Sequence, residues 1–311
     1  MKRDWELTPR LRFNLQRLWE EFEQLKIPAE FVNLEGGGIE QHYDRRLRFH
    51  HCANYAAAMT ILGGENRPLR LLELGCGSGA LAFGFARTMP AEWTLLATDY
   101  SWHLIDFARR NYQTPNLKFE CFDIAHLNRR LLSEFDAVMM LEVIEHLNRK
   151  QVQMLFSRLH RGLKPNARVI ISTLDRSAFR RPFSGYCHHK TEYSYQTLSQ
   201  LLSQPEVNPF TEVRILRLLS RDIVAAAVRA EERGGYFINR IAGMVNRLTA
   251  GRGGLKYYQQ RLLGGIVRIY RGLSLFKTSD GSYPEDIYLV EDGAAVHNQE
   301  SFSLIAVLTQ R

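Results

Sequence analysis

The central part of the chain alternates short apolar runs with segments of helical periodicity, from residue 69 onward. Turn-forming or polar residues bound each apolar run, which is the pattern of a buried strand. Strands that alternate with helices in this way are typical of a parallel sheet covered by helices. The five predicted strands are LRLLEL (69–74), TLLATD (94–99), LKFECFD (117–123), FDAVMML (135–141) and ARVIIST (167–173).

The regions on either side of these strands extend the pattern. Residues 1–66 have mostly helical spacing, so we expect a helical N-terminal cap. A helix near 191–204 and strands at 211–219 and 300–310 are predicted to follow the fifth strand. We therefore divide the chain into the cap (1–66), a core (67–220), an insert (221–282) and C-terminal strands that complete the sheet (283–311). The apolar positions that give the cap its helical spacing are Leu11, Phe13, Leu15, Leu18, Trp19 and Phe22.

The insert is strongly basic. Residues 233–277 contain nine Lys or Arg and no Asp or Glu, against a net charge of +8 for the whole chain. Its apolar residues predict two amphipathic helices joined by a flexible turn at 251–254. Either these helices pack on the core with a solvated basic face, or they form a lid that docks on an anionic membrane or covers an apolar acceptor. The apolar positions are Phe237, Ile238, Ile241, Met244, Val245 and Leu248, then Leu255, Leu262, Leu263, Ile266 and Leu273.

Composition narrows the class of protein and its compartment. A chain of 311 residues with 45% hydrophobic content fits one large or two small globular domains. No apolar run is long enough for a membrane span, and the charged start has no apolar signal segment. The four cysteines, Cys52, Cys76, Cys121 and Cys187, form no Cys-x-x-Cys pair. We therefore expect a cytoplasmic protein, peripheral to the membrane if the insert binds lipid, and the basic charge favours acidic partners.

A glycine-rich turn follows the first predicted strand, in LLELGCGSG (71–79). Glycines allow a sharp turn and close approach to a ligand, and the helix that follows offers free N–H groups. This favours a nucleotide-like ligand over a plain strand-to-helix turn. The spacing also satisfies a relaxed dinucleotide fingerprint, with Asp99 as the acid about 20 residues later. Asp99 is alternatively a helix N-cap, a position where Asp is common.

A second group of polar residues follows the fourth predicted strand. Glu142, Glu145 and His146 have the spacing of one helical face, and His188 and His189 follow the fifth strand, whose end is expected to be adjacent. Two neighbouring carboxylates raise each other's pKa unless a cation lies between them. We expect either a Mg²⁺ or Mn²⁺ site at Glu142, Glu145, His146 and His189, or a metal-free site in which His146 is a general base or structural.

Four segments in register resemble the class I S-adenosylmethionine-dependent methyltransferases: LLELGCGSG, ATDYSWHLIDFARR, FECFDIAHL and FDAVMMLEVIEHL. The resemblance implies an α/β, Rossmann-like fold with a mostly parallel seven-stranded sheet and helices on both faces. It implies S-adenosylmethionine as cofactor, with Glu73 and the 75–79 backbone at its methionine end and Asp99 at the ribose. Asp123, Ile124 and Tyr100 are then expected at the adenine. The full predicted cofactor set is Glu73, Gly75, Cys76, Gly77, Gly79, Asp99, Tyr100, Asp123, Ile124 and Leu141.

The acidic-histidine group resembles two families in more detail. Glu142, Glu145, His146 and the HKTEYS segment from His189 are similar to the metal site of small-RNA 2′-O-methyltransferases. The fourth motif and residues 171–176 resemble ubiquinone-biosynthesis O-methyltransferases. These resemblances imply catalytic roles for His146, Glu142, Glu145 and His189, and methylation of a hydroxyl on a small-molecule or lipid-like acceptor. The alternatives are methylation of a terminal RNA ribose and a non-catalytic cofactor-binding partner subunit.

Overall fold

A computed structural model of the protein describes residues 4–25, 45–64, 67–186, 188–237, 240–241, 244, 286–291 and 298–310. The described residues form a mixed eight-stranded sheet in the order β3-β2-β1-β4-β5-β8-β6-β7. Strands β1 to β6 are parallel to one another, and β8 runs antiparallel between β5 and β6. The strands are β1 (Arg70–Leu74), β2 (Thr94–Asp99), β3 (Leu117–Cys121), β4 (Ala137–Leu141), β5 (Arg168–Leu174), β6 (Glu212–Leu219), β7 (Tyr288–Glu291) and β8 (Ser301–Thr309).

The predicted Rossmann-like fold is confirmed, but the sheet has eight strands rather than seven. The additional strand is β7, which pairs antiparallel with β6 at the edge of the sheet. It has only four residues, YLVE, a length too short to carry a clear alternation of apolar and polar positions.

Helices cover both faces of the sheet. Alternate residues of β4 enter two different cores: Ala137 and Met139 pack into one, and Val138 and Met140 into the other. A strand buried on both faces needs apolar residues at every position, which explains the unbroken run in β4. The helices are α1 (Asp4–Gln24), α2 (Arg45–Leu62), α3 (Ala80–Thr88), α4 (Trp102–Asn111), α5 (Arg129–Leu132), α6 (Arg149–Gly162), α7 (Tyr195–Leu202) and α8 (Arg221–Ala230).

The two N-terminal helices join the core formed on one face of the sheet. Helix α1 packs against α2, α3 and β7, and the rings of Trp19 and Phe49 meet edge to face at 5.7 Å. Five of the six apolar positions predicted for this region are buried, but Phe13 is 60% exposed and takes no part in the core. The division of the chain into a cap, a core and an insert stays a prediction.

Most of the predicted insert lies outside the described residues, including the turn at 251–254 and the second amphipathic helix. In the described part of the insert, α8 is followed by a wide helical turn, Glu231–Gly235. Residues 236–237, 240–241 and 244 are also helical. None of the helices in the described part of the chain combines the length and apolar character needed to cross a bilayer. Cys76 and Cys121 are free thiols, and Cys187 lies outside the described residues.

Candidate functional site

The glycine turn lies between β1 and α3 and depends on left-handed backbone at its glycines. A Cβ on Gly79 (φ +78) would come within 2.6 Å of the Phe119 ring and 2.8 Å of Ala108. A Cβ on Gly77 (φ +57) would meet no atom of the described residues within 4 Å. Packing against Phe119 and Ala108 therefore leaves no room for a side chain at residue 79, whereas Gly77 borders open space that a ligand can enter.

Asp99 ends β2 and binds the glycine turn directly. Its Oδ2 accepts a hydrogen bond from the Gly77 N–H at 3.0 Å, and its Oδ1 accepts from the Ser101 N–H at 2.9 Å. The Gly75 and Cys76 N–H groups donate to the Thr98 carbonyl at 2.7 and 2.8 Å. The end of β2 thus fixes the shape of the turn.

Glu73 lies below the turn, in β1, with a carboxyl that is 1% exposed. One oxygen accepts a hydrogen bond from Tyr55 of α2, while Oε2 has no hydrogen-bond partner among the described residues. Burial raises the pKa of Glu73 to about 7, against the lowering effect of the Tyr55 hydrogen bond. The same burial, with the nearby Glu73 and Asp99 charges, raises the pKa of the Cys76 thiol. A buried carboxyl oxygen without a partner is suited to a cationic or hydrogen-bond-donating ligand group.

The remaining predicted cofactor residues lie along the same edge of the sheet. Asp123 follows β3, and its carboxylate accepts a hydrogen bond from the Ala125 N–H in the turn Ile124–His126. Tyr100 is 68% exposed, next to Asp99. Leu141 is buried at the end of β4, opposite Ser172 of β5. The structure brings these residues to one edge, and their contacts with a cofactor stay predictions.

Glu142 follows β4 in left-handed backbone with φ +59, and its carboxylate turns toward α2. Its Oε2 lies 3.3 Å from His50 Nε2. Its Oε1 accepts hydrogen bonds from Asn54 Nδ2 and Ser172 Oγ, both at 2.9 Å. Burial acts to raise the pKa of Glu142, but the charge and hydrogen bond of His50, helped by His51 and Ser172, lower it to about 2. Glu142 is therefore the ionised member of the acidic pair.

Glu145 is the protonated member. Its side chain is buried and accepts a hydrogen bond from Thr173 Oγ1 at 3.1 Å. Burial, then the charge of Glu142, then the hydrogen bond between the two carboxyls raise the pKa of Glu145 well above its usual value. The acidic pair therefore holds one proton in the protein alone, as expected for two carboxyls in contact. A cation at Glu145 would favour its ionised form.

Glu145, His146 and His189 come together as a cluster whose ligating atoms all lie within 4.8 Å of one another. The His146 Nδ1–H donates to the His188 carbonyl at 3.1 Å, and the His189 Nδ1–H donates to Glu192 Oε1 at 2.7 Å. Because these acceptors fix the tautomers, the Nε2 lone pairs of both rings remain available. The pKa of His146 is lowered by burial and by the charge of His189.

Backbone hydrogen bonds hold the loop that carries His189 against this cluster. The Lys190 and Thr191 N–H groups donate to the Glu145 carbonyl at 2.8 and 3.2 Å. The rings of His146 and His189 are 4.9 Å apart, centre to centre, in an edge-to-face arrangement. The predicted meeting of the segments after the fourth and fifth strands is therefore present in the structure.

The predicted helical face of Glu142, Glu145 and His146 is wrong in its geometry. The chain reverses at Glu142 and then makes a single tight turn, Ile144–His146, in place of an α-helix. As a result Glu142 faces α2, outside the cluster of three, although it hydrogen-bonds Glu145. Sequence reasoning missed His50 and Asn54, which are remote along the chain, and Glu192, whose position three residues after His189 was a usable signal.

The glycine turn packs on Val143, which directly precedes the short turn that carries Glu145 and His146. A Cβ on Gly75 would lie 2.6 Å from Cγ2 of Val143, the residue between Glu142 and the turn Ile144–His146. Comparison with known families gives a match over residues 71–166 to the model described as a methyltransferase domain. This segment of the chain is therefore similar to methyltransferase domains. The predicted resemblance to class I S-adenosylmethionine-dependent methyltransferases is thereby confirmed.

Curated relatives match this domain and its flanks. The chain is 26% identical over 128 residues to the malonyl-[acyl-carrier protein] O-methyltransferase of Bacillus cereus, covering 41% of this chain and 46% of that protein. It is 31% identical over 124 residues to the ubiquinone biosynthesis O-methyltransferase of Rhodopseudomonas palustris, covering 39% of this chain and 45% of that protein. The chain thus spans about half the length of the curated relatives it matches.

A solved structure shares the fold of the methyltransferase domain and its surroundings. Coclaurine N-methyltransferase, bound to N-methylheliamine and SAH, superposes with a TM-score of 0.52 at 15% identity. The superposition covers 100% of this chain and 89% of that one. At this identity the likeness establishes the fold.

Proposed function

We propose that the protein transfers a methyl group from S-adenosylmethionine to a hydroxyl of a small-molecule or lipid-like acceptor. The observation that supports this proposal is the close approach of Gly75 to Val143, the residue two positions before Glu145 of the cluster, so the glycine turn and the cluster lie near each other. Methyl transfer requires donor and acceptor to meet in line, so a cofactor turn near a group that binds or deprotonates a hydroxyl suits the reaction.

The residues of the turn fit the proposed cofactor. Gly77 borders space that admits a ligand, and Asp99 supplies carboxylate oxygens at the position where ribose hydroxyls are bound in this class. The Oε2 atom of Glu73 is buried without a described partner, close to the turn, which suits the amino group of a methionine moiety. S-adenosylmethionine, when bound, supplies an electrophilic methyl group on a sulfonium. The protein's own contribution is to bind and orient it and to exclude water.

The cluster of Glu145, His146 and His189 is proposed to promote deprotonation of the acceptor hydroxyl. It offers one carboxyl and two imidazole Nε2 atoms, a donor set suited to a divalent transition ion such as Mn²⁺ rather than to Mg²⁺, which prefers oxygen ligands. A bound divalent cation supplies positive charge that favours the ionised form of a nearby hydroxyl. The His188 carbonyl and Glu192 keep both rings in the tautomer this role requires. The His146 or His189 Nε2 atom can also accept the proton directly.

The class of acceptor follows from the relatives. These relatives are named a malonyl-[acyl-carrier protein] O-methyltransferase and a ubiquinone biosynthesis O-methyltransferase, and residues 171–176, at the end of β5, resemble the latter group. We extend to this chain only what these acceptors share, which is an oxygen nucleophile on a small molecule or a lipid-like one. A cytoplasmic location and attachment to an anionic membrane through 233–277 remain predictions.

Transfer of label from methyl-labelled S-adenosylmethionine tests the proposal. Purified protein is incubated with separated lipid, small-molecule and RNA fractions, with and without Mn²⁺. Label is expected in a lipid or small-molecule fraction as a methyl ether or ester, and His189→Gln should abolish it. Label in RNA would replace this proposal with the RNA reaction, and label in no fraction, with S-adenosylmethionine bound, would favour a cofactor-binding subunit.

A further inference from the structure

Arg176 follows β5 and buries its guanidinium completely, with 2% of the side chain exposed. Its two terminal nitrogens donate to the two carboxylate oxygens of Glu231, Nη1 at 2.7 Å and Nη2 at 3.0 Å. Nη2 also donates to the Arg181 carbonyl at 2.7 Å. Glu231 is the first residue after α8 and lies within the predicted insert. A buried bidentate pair of this kind fixes both partners in position.

On its other side Arg176 faces Glu192, whose side chain is 1% exposed. The Nε atom of Arg176 lies 3.3 Å from Glu192 Oε2 without the angle of a hydrogen bond. Glu192 Oε1 accepts the His189 Nδ1–H at 2.7 Å. Because Glu231 and the Arg181 carbonyl occupy both terminal nitrogens, Arg176 presents only its Nε edge to Glu192. The Oε1 atom accepts from His189 and from the Ser184 hydroxyl, and Oε2 accepts from the Ser184 N–H, so Arg176 donates to neither oxygen.

We propose that Glu231 is a positioning residue for His189, acting through Arg176 and Glu192. Without the Glu231 carboxylate, Nη1 of Arg176 loses its acceptor and Nη2 keeps only the Arg181 carbonyl. The guanidinium can then turn toward Glu192 and donate to its oxygens. That contact competes with His189 for Oε1, and the imidazole loses the hydrogen bond that fixes its ring and tautomer. The inference rests on the proposed function for the catalytic role of His189. The connection from Glu231 through Arg176 and Glu192 to His189 is a separate structural claim.

The same segment packs on the loop that carries His189. A Cβ on Gly185 would lie 3.2 Å from Tyr236 Cδ2 and from Arg240 Cγ. The Arg181 guanidinium lies over the Tyr236 ring, 4.5 Å from its centre. Tyr236 and Arg240 of the insert therefore pack on Arg181 and Gly185. Glu231, five residues before Tyr236, is linked to the cluster through Arg176 and Glu192.

Glu232 provides a matched control for Glu231. It is the next residue, its side chain is 49% exposed, and its ion pair with Arg180 is long, at 3.7 Å. The full-length variants Glu231→Gln and Glu232→Gln are compared with wild type by circular-dichroism melting, to establish folding. The Nδ1–H resonance of His189 is then followed by NMR in histidine-labelled protein and assigned by its loss in His189→Gln. Binding of Mn²⁺ alone is measured by calorimetry.

Glu231→Gln is expected to broaden or shift the His189 resonance upfield and to weaken Mn²⁺ binding about tenfold or more, the usual effect of losing an outer partner of a metal ligand. Glu232→Gln is expected to match wild type. An unchanged His189 resonance in folded Glu231→Gln would overturn the proposal. If that variant does not fold, Glu231→Asp and Glu232→Asp repeat the comparison, because Asp keeps the charge but is too short for both bonds. If the wild-type protein binds no Mn²⁺, the cluster is not a metal site. The His189 Nδ1–H resonance in Glu231→Gln then still tests whether Glu231 positions His189.

Discussion

His50 Nε2 lies 3.3 Å from Glu142 Oε2, and this contact joins α2 to the end of β4 beside the candidate site. The His50 side chain is buried and that of Glu142 is 13% exposed, and Asn54 and Ser172 complete the surroundings of the carboxylate. Helix α2 therefore influences the charge of the site, because its His50 lowers the pKa of Glu142 and makes this carboxyl, rather than that of Glu145, the ionised one.

We predict that His50→Ala destabilises the protein by about 3 kcal/mol at pH 7, since removing one partner of a buried pair leaves an incompletely compensated charge. Glu142 has a lowered pKa, so the stability it contributes is present above pH 4.5 and is lost as the pH falls toward 2. Urea denaturation should thus show a difference between wild type and variant that shrinks below pH 4.5. His103→Ala on the exposed face of α4 is the control. Equal losses for the two variants would contradict the assignment.

Glu73 should give an opposite dependence on pH. Its pKa is raised to about 7, so the folded state holds a proton that the unfolded state has lost above pH 4.5. Stability therefore falls as the pH rises from 4.5 to 7, by on the order of 3 kcal/mol. Glu73→Gln should remove this fall and melt above wild type at pH 8. Parallel melting curves for wild type and Glu73→Gln, with the exposed-site variant Glu20→Gln as reference, would show that the raised pKa is wrong.

The two glycines of the turn should respond differently to alanine. Gly79→Ala adds a Cβ 2.6 Å from the Phe119 ring in left-handed backbone, and we expect a loss of about 3 kcal/mol in stability. Gly77→Ala meets open space and should lose only about 1 kcal/mol, through backbone strain. It should nevertheless weaken S-adenosylmethionine binding at least tenfold in calorimetry, because the added methyl enters the ligand's space. Folded Gly77→Ala with unchanged affinity would remove the turn from the binding site.

Substitution of the two glutamates distinguishes the predicted four-residue metal site from the cluster of three. Glu145→Gln removes a ligand and should weaken Mn²⁺ binding more than tenfold. Glu142→Gln, whose side chain faces His50, should have a smaller effect on Mn²⁺ and a larger one on stability. A larger loss of Mn²⁺ affinity in Glu142→Gln than in Glu145→Gln would restore the four-residue site as predicted from the sequence.

Most strands of the sheet could be predicted from the sequence, and so could the proximity of the segment with Glu145 and the segment with His189. Buried parallel strands are unbroken apolar runs, and the carboxyl ends of such strands share an edge, so the pairing of the Glu145 and His189 segments followed from topology alone. The glycines of the turn were informative because few other environments favour three glycines so close together.

The missing parts of the prediction have physical reasons. His50 and Asn54 approach Glu142 through packing of α2 on the sheet, which leaves no periodic trace between residues so far apart in sequence. The left-handed backbone at Glu142 is a local reversal in a non-glycine residue, and such reversals have no compositional signal. Phe13 fits a helical spacing by chance while pointing to solvent.

The most direct test of the account is calorimetric titration of the purified protein with S-adenosylmethionine, alongside Asp99→Asn and the control Asp106→Asn. Asp106 lies on the exposed side of α4, where it pairs with Arg110. Wild type and Asp106→Asn should bind one equivalent with matching affinity. Asp99→Asn should lose about 1.5 to 3 kcal/mol of binding free energy, as expected for a buried charged acceptor. Equal affinity in all three proteins would contradict the site, and binding of a nicotinamide dinucleotide in place of S-adenosylmethionine would contradict the account as a whole.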